Sequence, residues 1–125
     1  MIALDTSSII AYFHGDNGGD VDEIEAALVH KLAVLPPAVL SELLSDPKLP
    51  HTFEKLINEV PVIDILEGYW ERAGKLRSRL LAKGHKARLA DALIAQSCLD
   101  HDVPLITRDT DFKHYARWEK LKLVE

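Results

Sequence analysis

The chain has 125 residues, 47% of them hydrophobic, a formal net charge of −5 at pH 7 and one cysteine, Cys98. A chain of this length buries about two-thirds of its unfolded surface and is expected to form one domain spanning 1–125, while a lone cysteine excludes an internal disulfide or a cysteine-based zinc cluster and fits a reducing compartment. The opening MIALDTSS carries no basic leader, and the longest apolar run, Leu32 to Leu40, is broken by Pro36-Pro37, so a soluble, cytoplasmic protein with neither signal peptide nor membrane span is expected.

In chain order, the pattern predicts a short strand over 2–4, then Asp5-Thr6-Ser7-Ser8, any of which can cap a helix running through Ile9, Ile10 and Tyr12. After Gly18-Gly19, Asp20 with Glu23 resembles a capping box for a helix through Leu28 and His30, and 32–35 reads as a second strand. Pro36-Pro37 starts a helix containing Glu42. Residues 51–59 suggest another helix, 60–65 a strand or extended segment, and 67–83 a long amphipathic helix ended by Gly84. The most apolar helix covers 88–101, a strand follows over 103–107, and 121–124 is a possible last strand. Short apolar strands alternating with helices point to an open, mostly parallel α/β sheet with helices on both faces.

Charge is unevenly distributed. Residues 16–25, DNGGDVDEIE, carry five acids and no base, whereas residues 71–88 carry seven bases (Arg72, Lys75, Arg77, Arg79, Lys83, Lys86 and Arg88) against Glu71 alone. A solvated helix face is the plain reading of that block and a contact with phosphate backbone the sharper one.

The carboxylates carry the chemistry. In open parallel sheets ligands bind beyond the C-terminal ends of the strands, and both Asp5 and Asp109 fall just there, after Ile2-Ala3-Leu4 and Leu105-Ile106-Thr107. Asp91 shares a helix face with Ile94, Ala95 and Cys98, so it points inward, where an isolated carboxylate is costly; Gln96 and Asp100 mark the expected solvent face. A buried Asp paired with an arginine or capping its own helix would look the same. Glu42, in AVLSELLS, is ambiguous by periodicity and by itself reads as an exposed helical glutamate. Asp109 and Asp111, in ITRDTDF, suit a turn or a cap as well as a metal. Gathered together, these groups form a set of hard oxygen ligands without His or Cys, which suits Mg²⁺ or Mn²⁺, and the cation is what allows like charges to stay ionised side by side.

Three segments, in order, resemble the PIN-domain ribonucleases, especially the small VapC-type toxins of toxin–antitoxin pairs: IALDTSSIIAYF, PPAVLSELL, and LADALIAQSCLDHDVPLITRDTDF. The resemblance implies a three-layer α/β/α fold and an endoribonuclease that hydrolyses phosphodiester bonds of tRNA, rRNA or mRNA with one or two Mg²⁺ or Mn²⁺ ions. It implies that Asp5, Glu42, Asp91 and Asp109 are the acidic catalytic and metal-binding residues, with Asp111 the rival of Asp109 for the fourth place. Thr6 and Thr107 would hold carboxylates or a water through their hydroxyls, Phe112 would pack into the core, and Lys75, Arg79, Lys83 and Lys86 are rim candidates for RNA. It also implies a small antitoxin partner whose C-terminal segment occupies the groove, and homodimerisation, for which 24–28 and 40–44 offer apolar positions that serve core packing equally well. The alternative is a PIN-fold protein with a non-toxin role, or one that binds metal or protein without cleaving RNA. Aspartyl-phosphate chemistry of the haloacid dehalogenase type is disfavoured, because Ser7 stands where such enzymes usually have a second Asp.

Overall fold

The computed structural model describes residues 1–124. Its centre is a parallel sheet of three strands, β1 (Ile2–Leu4), β2 (Ala33–Val34) and β3 (Leu105–Ile106), in the order β2-β1-β3. The N-terminal strand is therefore the middle one: Ala3 pairs with Val34 on one side and with Leu105 on the other. Among the described residues seven helices flank the sheet: α1 (Thr6–Phe13), α2 (Gly19–Val29), α3 (Pro37–Leu44), α4 (His51–Glu59), α5 (Tyr69–Ala82), α6 (Leu89–His101) and α7 (Phe112–Glu119). The expected parallel α/β architecture is found. Ala3, Leu4, Leu105 and Ile106 are buried, as parallel strands covered on both faces must be. Phe112 and Tyr115 of α7 and Leu76 and Leu80 of α5 are fully enclosed. Cys98 is buried on α6, and burial pushes its thiol up to about 12. No helix among the described residues is long and apolar enough to cross a membrane.

Local chemistry sets the boundaries. Pro37 opens α3 at the first helical position, where its missing N–H costs nothing. Helix α5 ends in paired bonds from Gly84 N–H to the Leu81 carbonyl (2.9 Å) and from His85 N–H to the Leu80 carbonyl (3.0 Å). Gly84 takes the left-handed φ of +81° that this termination requires.

Four expectations are corrected. Helix α5 begins at Tyr69, after Gly68 in the left-handed region at φ +83°, rather than at 67. The capping box at Asp20 does not form: the N-cap of α2 is Gly18, and the Asp20 carboxylate is taken by Ser8 and Arg108 instead. Of the two forms expected for 60–65, the extended segment is found, with one bridge, Leu35 to Val62, because Pro61 has no N–H with which to continue a ladder. Segment 121–124 likewise contributes one bridge, Leu105 to Leu123. The last correction concerns α6, whose predicted solvent face is covered. Gln96 is buried, and the Asp100 side chain, only 8% exposed, receives Arg72 of α5 through two bonds of 3.0 and 2.7 Å and Gln96 at 2.8 Å. A helix packed on several sides has no polar stripe to read.

Candidate functional site

Strands β1 and β3 deliver their following residues to the same edge. Asp5 N–H donates to the Ile106 carbonyl at 2.9 Å, which fixes the two chain ends side by side. Asp5 occupies the N-cap position of α1 yet makes no side-chain cap bond. Its buried carboxylate instead accepts on Oδ2 from Ser7 Oγ and Thr107 Oγ1, each at 2.7 Å. Thr107 Oγ1 also accepts from Asp109 N–H at 3.0 Å, and Asp111 N–H donates to Asp109 Oδ1 at 2.9 Å. One hydroxyl thus locks the carboxylate after β1 to the backbone after β3.

Asp91 enters from the first turn of α6 and is buried. Asp91, Asp109 and Asp111 each offer a carboxylate oxygen, and these atoms all lie within 4.8 Å of one another. Burial pushes Asp91 up to about 6; Arg88 pulls it back, and the charges of Asp109 and Asp5 raise it further. The Arg88 guanidinium spans two of the acids, with Nε 3.4 Å from Asp91 Oδ2 and Nη2 3.3 Å from Asp109 Oδ2, and Lys86 Nζ lies 4.0 Å from Asp111 Oδ2. The Tyr115 hydroxyl is buried without a hydrogen-bond partner among the described residues, and its pKa is raised first by burial and then by the charge of Asp91. Three converging carboxylates with no imidazole or thiolate among them fit a hard divalent cation of the Mg²⁺ or Mn²⁺ type and do not fit zinc. Asp111 stands at the N-cap of α7 but makes no side-chain cap bond, so it is not the helix cap that the sequence allowed. Glu42 lies outside this three-acid group; it is exposed on α3 and accepts Thr6 Oγ1 at 2.6 Å.

The basic block divides into two kinds of residue. Arg72 is committed to Asp100, Arg77 to the Ala87 carbonyl at 2.7 Å, and Arg79 to Glu119 of α7 through Nε and Nη2 at 2.9 and 2.7 Å. These three brace α5 against its neighbours. Lys75 and Lys83 are exposed on α5 and just after it, and Lys86 and Arg88 lie beside the acids. Sequence reasoning passed over Ser7 and Arg88 as site residues. Arg88 did leave a signal, the i,i+3 spacing to Asp91 on one helix; Ser7 left none beyond its nearness to Asp5.

No curated protein sequence matches the chain. Solved structures overlay on nearly all of it. VapBC2 from Rickettsia felis, bound to a DNA fragment from their promoter, gives a TM-score of 0.76 at 23% identity, over 99% of this chain and 98% of that one. VapBC-1 from nontypeable Haemophilus influenzae gives 0.74 at 24% identity, over 100% and 98%. FitAcB from Neisseria gonorrhoeae gives 0.69 at 20% identity, over 100% and 97%. At these identities the likeness is one of fold. The PIN domain family model matches residues 2–117, nearly the whole chain, and the chain therefore belongs to the PIN-domain family.

Proposed function

We propose that this chain is a Mg²⁺- or Mn²⁺-dependent endoribonuclease, a single domain over 1–125 that acts in the cytoplasm as the toxin of a VapBC-type pair. The observation that carries the reading is the convergence of Asp91, Asp109 and Asp111 within 4.8 Å at the sheet edge, beside Asp5. The fold likeness to VapBC and FitAcB structures supports a small antitoxin as partner, and homodimerisation belongs to the same reading.

In this reading Asp5, Asp91 and Asp109 hold the cation, with Asp111 and Glu42 at the flanks. One or two divalent ions held there supply water activation and neutralise charge that develops on the leaving oxygen. The chain's own contribution is preorganisation. Ser7 and Thr107 fix the Asp5 carboxylate, Thr107 and the Asp111 N–H fix Asp109, and Thr6 orients Glu42. Burial of Asp91 keeps water from competing for its oxygens. Arg88 and Lys86, at the rim, attract a phosphate that the acids alone would repel.

The test is cleavage of total tRNA and ribosomal RNA by purified, partner-free protein in Mg²⁺ or Mn²⁺, with EDTA, Asp5→Ala and Asp91→Ala controls. Metal-dependent cuts lost in both variants are expected. Identical patterns from wild type and variants would mark the activity as contamination, and metal binding without cuts would favour a non-catalytic role.

A further inference from the structure

Arg88 is out of place as a helix start. It occupies the N-cap of α6, a position that favours Ser, Thr, Asp or Asn, and it makes no side-chain cap bond there. The free N–H groups of a first turn also form the positive end of the helix dipole, so a guanidinium at that point is unfavourable on two counts. What offsets it lies in front of the helix. Nε stands 3.4 Å from Asp91 Oδ2 and Nη2 3.3 Å from Asp109 Oδ2, so one planar fork bridges the acid of α6 and the acid after β3.

The segment that presents Arg88 is anchored, while its head group is not. Ala87 is buried and its carbonyl accepts Arg77 Nε of α5 at 2.7 Å, and the His85 ring stacks on His114 of α7 at 4.1 Å. Four arginines pair with acids among the described residues. Arg72, Arg79 and Arg108 each bring a nitrogen to 2.7 or 2.8 Å of a carboxylate oxygen, the range of a committed charged hydrogen bond. Arg88 approaches no closer than 3.3 Å, and its side chain is 58% exposed. The two carboxylates it bridges are also two of the three that converge within 4.8 Å. A guanidinium and a divalent cation at that pair carry like charge and compete for the same oxygens.

We propose that Arg88 is the exchangeable cation of this site: it neutralises Asp91 and Asp109 while no divalent ion is held, yields them when one enters, and turns its freed fork to an oxygen of the RNA phosphate. Arginine suits both tasks, since its fork matches carboxylate and phosphate alike. The anchored backbone keeps the head group near the acids in both states. Binding of the ion and binding of the phosphate are thereby coupled through one side chain, and phosphate is held weakly as long as the acids occupy the fork. The inference rests on the ribonuclease reading and gives Arg88 a distinct partner in each state of the site.

Magnetic resonance, calorimetry and kinetics test it, with each variant checked for cooperative melting. The Nε–Hε signal of Arg88, assigned by its loss in Arg88→Lys, is followed as Mg²⁺ is added to the wild type. It is expected to shift and to exchange faster with water, while the signals of Arg72, Arg79 and Arg108 hold still. Inorganic phosphate should then move it again, and only with Mg²⁺ present. In Arg88→Gln, Mn²⁺ affinity should rise about 2- to 30-fold, because two exposed ion pairs no longer have to be displaced. Its kcat/KM for RNA should nevertheless fall about 10- to 150-fold, the range for losing one hydrogen bond to a charged group. Arg88→Lys keeps the charge and lacks the fork, so it should also cut more slowly than the wild type; equal rates would reduce Arg88 to a surface charge and overturn the phosphate step. An Nε–Hε signal unmoved at saturating Mg²⁺ would overturn the exchange, and RNA cleavage by the same protein would leave the nuclease standing. A signal that answers Mg²⁺ and then phosphate, in a protein that cuts no RNA, would sustain the exchange and sink the ribonuclease reading.

Discussion

Thr107 makes the most consequential contact of any single residue, because its hydroxyl donates to Asp5 and accepts from the Asp109 backbone. Thr107→Val keeps the shape and removes both links; metal affinity, followed by Mn²⁺ titration calorimetry, should fall roughly 10- to 100-fold while the fold persists. Asp109 is held at its backbone and at both carboxylate oxygens, whereas the Asp111 carboxylate has Lys86 at 4.0 Å and no hydrogen bond among the described residues. Asp109→Asn is therefore expected to reduce metal affinity and cleavage more than Asp111→Asn does. Asp91 makes the site pH-sensitive. Its proton is held more tightly in the folded chain, with a pKa of about 6 against a reference of 3.8. Its contribution thus favours folding at pH below the reference value and is lost as pH rises through 6. Asp91→Asn should stabilise the metal-free protein at pH 7 by on the order of 1–2 kcal/mol, seen as a higher melting temperature, and should abolish metal-induced stabilisation. In the wild type, metal affinity should fall as pH drops below 6, since the cation needs the carboxylate. Asp5 and Asp91 were legible as candidates because strand ends and helix faces are written in local spacing. The bond from Ser7 and the bridge made by Arg88 depend on where other elements put the acids, and no spacing states that.

At the scale of elements, the start of α2 shows how tertiary demand overrides a local signal. Asp20 looks like one half of a capping box, yet its carboxylate accepts Ser8 of α1 at 2.8 Å and Arg108, from the segment after β3, at 2.8 and 3.0 Å. This clasp ties α1, α2 and the segment after β3 together. Arg108 holds the Asp20 carboxyl well below its usual range, at about 2. A depressed value in the folded state means that the stabilisation is fully present above the unfolded pKa and is lost as pH falls toward 2. Asp20→Asn should accordingly flatten the acid limb of a stability-versus-pH curve and cost about 1 kcal/mol at neutral pH. Gly18 guards the same clasp: it sits at φ +150°, and a Cβ there would meet Asp20 Oδ1 at 2.6 Å and Arg108 Nη2 at 3.1 Å. Gly18→Ala should destabilise by about 1–2 kcal/mol, read from urea denaturation. The starts of α1 and α3 and both ends of α4 and α6 were close to legible because prolines and apolar periodicity agree there. The outer face of α6 was not, because Arg72 crosses from another helix to cover it.

At the scale of the molecule, placing β1 in the middle of the sheet makes assembly of the site a late and global event. Residue 5 meets residue 107, a separation of 102 in sequence, only once β3 has docked on β1. Contacts of such long range carry the loop-closure cost that slows folding. Local opening that frees β3 therefore dismantles the carboxylate cluster as well. A divalent ion that binds the folded state alone should add about 2.7 kcal/mol at a hundred times its Kd, measured as a rise in unfolding midpoint that Asp91→Asn lacks. Cys98 turns this coupling into an instrument. It is buried at the heart of α6, and its thiol, pushed up to about 12, is protonated at neutral pH. An alkylating reagent can reach it only when that helix leaves the sheet, so the labelling rate counts excursions to the open molecule. Slower labelling in the presence of Mn²⁺, an RNA or a partner protein would report, on one native atom and without any added probe, how firmly each holds the fold shut.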